Sequence, residues 1–165
     1  MTNPRLSPAR PYRVFTRKRA RPPFFAPVLL RSRRDGWSPA VQSAFLAQLF
    51  LHGSVAAAAR AVGRSRASAY ALRKKRGAES FAAAWDRVLT GPADRGESPA
   101  RTRRSTDYRK LTLRDLEWRI AIGLVRPIIY RGKHKANVRK PDNSALLRLL
   151  RREDALARRV LGSGP

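Results

Sequence analysis

The chain of 165 residues contains no cysteine, which excludes disulfides, thiolate metal sites and a cysteine nucleophile. Histidine is nearly absent. His52 and His134 stand far apart, so neither a histidine-based zinc site nor a Ser-His-Asp arrangement is expected. The 11 acidic residues are scattered, several of them beside arginine, whereas a metal-dependent nuclease needs clustered carboxylates. The expectation is therefore a protein that is not an enzyme and has no metal or cofactor. No apolar run approaches the ~20 residues that a membrane-spanning helix requires. The N-terminal apolar patch, Pro22-Pro23-Phe24-Phe25-Ala26-Pro27-Val28-Leu29-Leu30, is interrupted by three prolines, so it does not read as the helical core of a signal peptide. Large apolar side chains are also scarce. Hydrophobic residues make up 42% of the chain, but 25 residues are alanine, so the core must be small.

Positive charge is abundant. Lys and Arg total 37, giving a formal net charge of +26. A chain so charged repels itself and attracts polyanions, nucleic acid before anionic membrane. Thirty of the basic residues are Arg and seven are Lys. Arg and Ala rise together in GC-rich coding sequences, so the total alone does not locate a binding surface; the distribution must. Residues 1–34 hold ten basic residues, no acidic ones and six of the twelve prolines. They read as a disordered basic arm, too poor in apolar surface to offset the entropy of ordering.

Helical signals begin at Asp35-Gly36-Trp37-Ser38-Pro39, where Ser38 is an N-cap and Pro39 suits the first helical position. Val41, Phe45 and Leu49, widened by Leu46 and Phe50, form a stripe that predicts a helix to about Leu51, stopped by Gly53. Ser54 then caps a short alanine-rich helix, Val55 to Val62. Gly63 breaks it, Ser65 caps again, and a further helix runs from Arg66 to about Arg76, closed by Gly77. Two short helices joined through a glycine turn form a helix-turn-helix pattern. Ala58 and Ala59 supply the small contact that a steep crossing needs, with Val62, Ala69 and Leu72 facing the shared core. A fourth helix follows, with Phe81, Ala84, Trp85 and Val88 on its buried stripe. Residues 91–110, rich in Gly, Pro, Ser and Arg, read as a linker. Beyond it, Thr112 and Asp115 suggest a capping box for a helix bearing Leu113, Leu116, Ile120 and Leu124 and ending at Pro127. Ile128-Ile129-Tyr130 and Lys135 to Arg139 read as a hairpin around Arg131-Gly132-Lys133. Pro141-Asp142-Asn143-Ser144 opens a last helix with an apolar face of Leu146, Leu147, Leu149 and Leu150.

The expected fold is mainly α. It comprises the disordered arm (1–34), a homeodomain-like helix-turn-helix bundle (35–90), the linker (91–110) and a helix–hairpin–helix (111–161) that is too small to stand alone and is expected to pack on the first unit or on another copy of itself, as candidate homo-oligomerisation surface. Residues 35–91 hold eight basic and three acidic residues, and five of the basic ones lie between Arg66 and Arg76. A recognition helix lays its outer side chains in the major groove. Arg66, Ala67, Tyr70, Ala71 and Lys74 are therefore the candidate base contacts, Arg66 for a guanine edge and the alanines for a thymine methyl. Arg64, Arg73, Lys75 and Arg76 are candidate phosphate contacts, as are Ser54 and Ser65 at helix N-termini. Tyr70 could instead pack inward.

Asp35-Gly36-Trp37-Ser38-Pro39, Gly53 through Arg66, and Gly77-Ala78-Glu79-Ser80-Phe81 resemble a family of small bacterial and prophage helix-turn-helix proteins likened to phage terminase small subunits. The similarity covers about 35–90 and extends weakly to Tyr130-Arg131-Gly132 and Asp142-Asn143. Ser65-Arg66-x-Ser68-x-Tyr70 is also similar to the recognition helix of resolvase-type motifs, which implies contacts at Ser65, Arg66 and Tyr70. Together these imply a double-stranded DNA-binding protein, a transcriptional regulator or a phage-derived recognition subunit, cytoplasmic and nucleoid-associated when bound. The rival expectation is a ribosomal-type RNA-binding protein that threads its Arg-rich tails among RNA phosphates.

Overall fold

The computed structural model of the chain describes residues 21–31, 33, 35–90 and 111–161. They form six helices and one two-stranded antiparallel sheet. In chain order these are α1 (Pro39–His52), α2 (Val55–Ala61), α3 (Arg66–Lys74), α4 (Glu79–Thr90), α5 (Leu113–Ile122), β1 (Leu124–Tyr130), β2 (Lys133–Lys140) and α6 (Asn143–Leu161). The residues 1–20 of the expected arm and the expected linker over 91–110 lie outside the described residues.

Helix α1 is the centre of the molecule. The Ser38 hydroxyl accepts the Val41 amide at its start, and Gly53, in a left-handed conformation with φ 67°, donates to the Leu49 carbonyl at its end. Phe45, Leu46 and Leu49 are buried as their spacing predicts, with Val41 and Phe50 packed partly buried at the edge. Gln42, Ser43 and Ala47 are buried as well. A helix with one apolar stripe should leave such residues to water. They are covered because α2 and α4 pack on one side of α1, while residues 21–31 and the β-hairpin pack on another.

That second covering corrects two expectations. Residues 21–31 are not a disordered arm. Phe25 is 0% exposed, and Pro22, Ala26, Pro27 and Val28 are buried. Phe25 exchanges both backbone hydrogen bonds with Val125, at 2.9 and 2.8 Å, and its ring meets Phe81 edge-on at 5.8 Å. The Ala26 amide donates to the Ser80 hydroxyl (2.8 Å), and the Pro27 carbonyl accepts from the Trp118 indole (3.2 Å). Charge and proline averaged over 34 residues hide a short apolar segment that prolines hold extended rather than unfold. The second correction follows. Val125 and Ile122 join the same core as the helices of 35–90, and the Ser43 hydroxyl donates to the Asn137 side chain at 2.6 Å. The hairpin thus packs on the first unit, one of the two expected arrangements, and so closely that 35–90 and 111–161 share one core rather than forming separate domains.

Local boundaries in the C-terminal half also differ. The Thr112–Asp115 capping box forms as expected, but α5 ends at Gly123, four residues before Pro127. Gly123 adopts φ 73° and ψ −169°, and a Cβ there would lie 2.5 Å from the Lys140 carbonyl oxygen, so only glycine fits. Leu124 consequently belongs to β1. Pro127 lies inside that strand opposite Asn137, which a central strand would not tolerate. Its missing N–H, however, points to the same edge as the Val125 amide, where the antiparallel register would set Pro23 opposite it. Two prolines cannot exchange amide hydrogen bonds, so the pairing stops at the single Phe25–Val125 bridge. At the sheet's far end, Asp142 caps α6 by accepting the Ala145 amide at 3.2 Å and forms a buried ion pair with Arg119 at 3.8 Å. The expected apolar face of α6 is mostly uncovered. Ala145 is buried and Leu149 half-buried, but Leu146, Leu147 and Leu150 are exposed.

Replacing Phe25 by alanine should destabilise the protein by about 3–5 kcal/mol, the cost of emptying an aromatic core site. Equilibrium denaturation with urea measures it, and a free arm would give no change.

Candidate nucleic-acid interface

The geometry of α2 and α3 follows from two serines and one glycine. Ser54 accepts the Ala57 amide at the start of α2, and Ser65 accepts the Ser68 amide at the start of α3. Between the helices, Gly63 adopts φ 66°. Its amide donates to the Arg60 carbonyl and the Arg64 amide to the Ala59 carbonyl, at 3.0 and 2.8 Å. This paired closure satisfies the last carbonyls of α2 while turning the chain sharply into α3. Ala58 and Ala59 are fully buried where α2 meets the core, and Ala69 and Leu72 anchor α3.

Anchoring Ala69 and Leu72 fixes what α3 turns outward. Arg66, Ala67, Ala71 and Lys74 are exposed, and Lys75 and Arg76 continue the exposed row past the helix end. Residues 66, 67, 70, 71 and 74 recur at i, i+1, i+4, i+5 and i+8 and so share one helical face. Tyr70 is half-buried on the margin of that face. Its ring packs on Trp85 at 5.4 Å, and the Arg66 guanidinium lies 5.7 Å from its centroid. The structure therefore brings the five expected base-contact residues onto one surface, with Tyr70 committed in part to the core.

The expected phosphate contacts separate into two groups. Ser65, Lys75 and Arg76 lie exposed beside the face, and Ser54 is exposed at the start of α2. Arg64 and Arg73 have intramolecular partners. The Arg64 guanidinium donates to the Gly63 and Gly36 carbonyls at 2.8 and 3.0 Å, which ties the turn to the start of α1. Arg73 pairs with Asp86 of α4 at 2.6 Å and lies 5.5 Å from the centre of the Trp85 ring. Charge alone could not separate these arginines from the exposed row. The one available signal was Asp86, a lone acid on the exposed side of a helix expected to pack nearby.

The sequence also left a second basic surface unassigned. The hairpin between Leu124 and Lys140 holds six Arg or Lys residues and no acidic residue. Among the described residues, no group of His, Asp and Glu could hold a metal ion, and no helix is long and apolar enough to cross a membrane.

The α2–α3 packing makes a stability prediction. Ala59→Leu should cost about 1–3 kcal/mol by overpacking the helix contact, and Gly63→Ala about 1–2 kcal/mol through its left-handed φ. Ala71→Leu, on the open face, should leave the thermal unfolding midpoint nearly unchanged; circular dichroism melts compare the three. No protein-family model, no curated protein and no solved structure matches the chain.

Proposed function

We propose that this protein binds duplex DNA with α2, the Gly63 turn and α3 acting as a helix-turn-helix unit, α3 being the helix that enters the major groove. The observation that carries the reading is the outward face of α3, where Arg66 and Lys74 flank Ala67 and Ala71 on an exposed, acid-free surface. That composition suits a groove. The two cations can reach guanine edges or phosphates, while the alanines let the helix approach closely and meet thymine methyls. Ser65, Lys75 and Arg76 would add phosphate contacts that position the helix without reading sequence. Arg64 and Arg73 support the reading differently, by fixing α3 against α1 and α4 so that the face is preorganised.

Such a unit serves a transcriptional regulator or a phage-derived recognition subunit similar to terminase small subunits. A single short helix reads few bases, so paired sites and a homo-oligomer would extend the readout. The RNA-binding alternative places the main contacts in residues 1–20 and 91–110.

Selection from a random duplex pool separates the readings. Arg66→Ala with Lys74→Ala should lose the enriched sequence and about 1–3 kcal/mol for each base contact removed. Unchanged selection and affinity in that variant, with binding abolished by uncharged replacement of the basic residues in 1–20 and 91–110, would establish the tail-driven alternative.

A further inference from the structure

The hairpin of β1 and β2 carries more positive charge than its fold uses. Its base is fastened. Val125 pairs with Phe25, Asn137 accepts from Ser43, and Arg126 and Lys140 both lie against the Phe24 ring at 4.5 Å. Arg126 and Lys140 thus have a structural use. Lys133, Lys135 and Arg139 do not, Arg139 standing opposite Val125 near the base, and Arg131 has only the neighbouring Tyr130 ring, 5.3 Å from its guanidinium; all four are exposed, and among the described residues no carboxylate pairs with them. Beyond the pair Pro127–Asn137, only Ile129 and His134 are even partly covered, and Ile128 and Tyr130 are 38% and 56% exposed. The outer half of the hairpin stands clear of the body.

Its apex adds a second observation. Arg131 and Gly132 have φ of 49° and 71°, the two-residue turn that matches strand twist and that favours Asn-Gly. Arg131 is the one non-glycine residue with positive φ among the described residues. A left-handed arginine is a poorer turn former than asparagine, so the turn carries a cation at the most projecting point at some cost to the local backbone. A register shift after Ile128 then places an extra residue in β2 and increases the twist of the ribbon.

We infer that this hairpin is a second DNA-binding element, a β-ribbon that grips duplex phosphates with Arg131, Lys133, Lys135 and Arg139 while Tyr130 and Ile128 lie against sugar or base-edge surface. The inference rests on the reading that the chain binds duplex DNA, but it assigns the hairpin a role independent of α3. A two-stranded ribbon fits the major groove, and exposed cations without a carboxylate partner along such a ribbon match phosphate charge by displacing condensed counterions. The contact would be indifferent to sequence, supplying affinity to the selection made by α3.

The test uses the full chain, a short random-sequence duplex and a salt series. Lys133→Gln, Lys135→Gln and Arg139→Gln together should weaken binding to all duplexes alike. They should lower the slope of log K against log salt by about 3, near 1 per lost phosphate contact. The charge-preserving set Lys133→Arg, Lys135→Arg and Arg139→Lys should keep the slope. Arg131→Asn should lower the slope by about 1 while the unfolding midpoint holds or rises, an outcome that a merely structural Arg131 cannot give. An unchanged slope in the Gln set overturns the hairpin role, and the α3 reading survives if Arg66→Ala with Lys74→Ala still loses selection. A shifted slope beside undisturbed selection in the α3 variant keeps the hairpin and removes the α3 reading. Equal losses in the Gln and charge-preserving sets, or a hairpin effect confined to single-stranded RNA, would overturn the inference.

Discussion

The side-chain amide of Gln42 holds the extended segment 21–31 to the core that the hairpin completes. It is fully buried on α1, accepts the Val28 amide at 2.8 Å, and donates to the Val28 and Trp37 carbonyls at 3.1 and 2.9 Å. An extended segment laid across a helix exposes backbone groups that no ladder satisfies, and each one left unpaired in the interior costs about 1–3 kcal/mol. Gln42 removes that cost at Val28, and Ser80 and Trp118 do the same at Ala26 and Pro27. With the segment seated, Phe25 can enter between Phe81 and Val125 and Phe24 can hold Arg126 and Lys140. The hairpin's attachment therefore depends on polar groups that a search for apolar stripes passes over.

The helices were legible wherever one residue decides a boundary. Ser38, Ser54 and Ser65 cap, Gly53 and Gly63 terminate, and the stripes of α1 and α4 have a single period, so their ends and apolar stripes follow from the sequence, while the burial of Gln42 and Ser43 does not. Gly123 was misread because the decisive fact is non-local: the Lys140 carbonyl, 17 residues on, fills the space of a Cβ. Pro127 was misread for a related reason, since a proline terminates a helix yet also fits a strand whose neighbouring edge is empty. The exposed Leu146, Leu147 and Leu150 show the converse error, in which a helical period fixes which residues share a face without fixing what covers it.

The candidate interface was legible in outline because α3 is short and its two anchors, Ala69 and Leu72, leave one orientation. The roles of its arginines were not. Arg64, Arg66 and Arg73 are chemically identical, and only their neighbours divide them into a turn fastener, an exposed face residue and a partner of Asp86 and Trp85. The formal +26 thus resolves into distinct uses. Some cations hold the fold together, as Arg126 and Arg119 do, and others on α3 and the hairpin stay exposed, Arg66 and Arg131 beside a tyrosine ring and Lys133 and Lys135 among them.

The Phe25–Val125 bridge joins positions a hundred residues apart, and this bears on how the chain folds during synthesis. Helices α1 to α4 emerge well before the strand that completes their core. Until β1 and β2 follow, Phe25 lacks its backbone partner and the Ser43 side of α1 faces water. Contacts of such long range close late because the intervening loop must first be ordered. The unit bearing α3 therefore reaches its final packing only when the hairpin arrives.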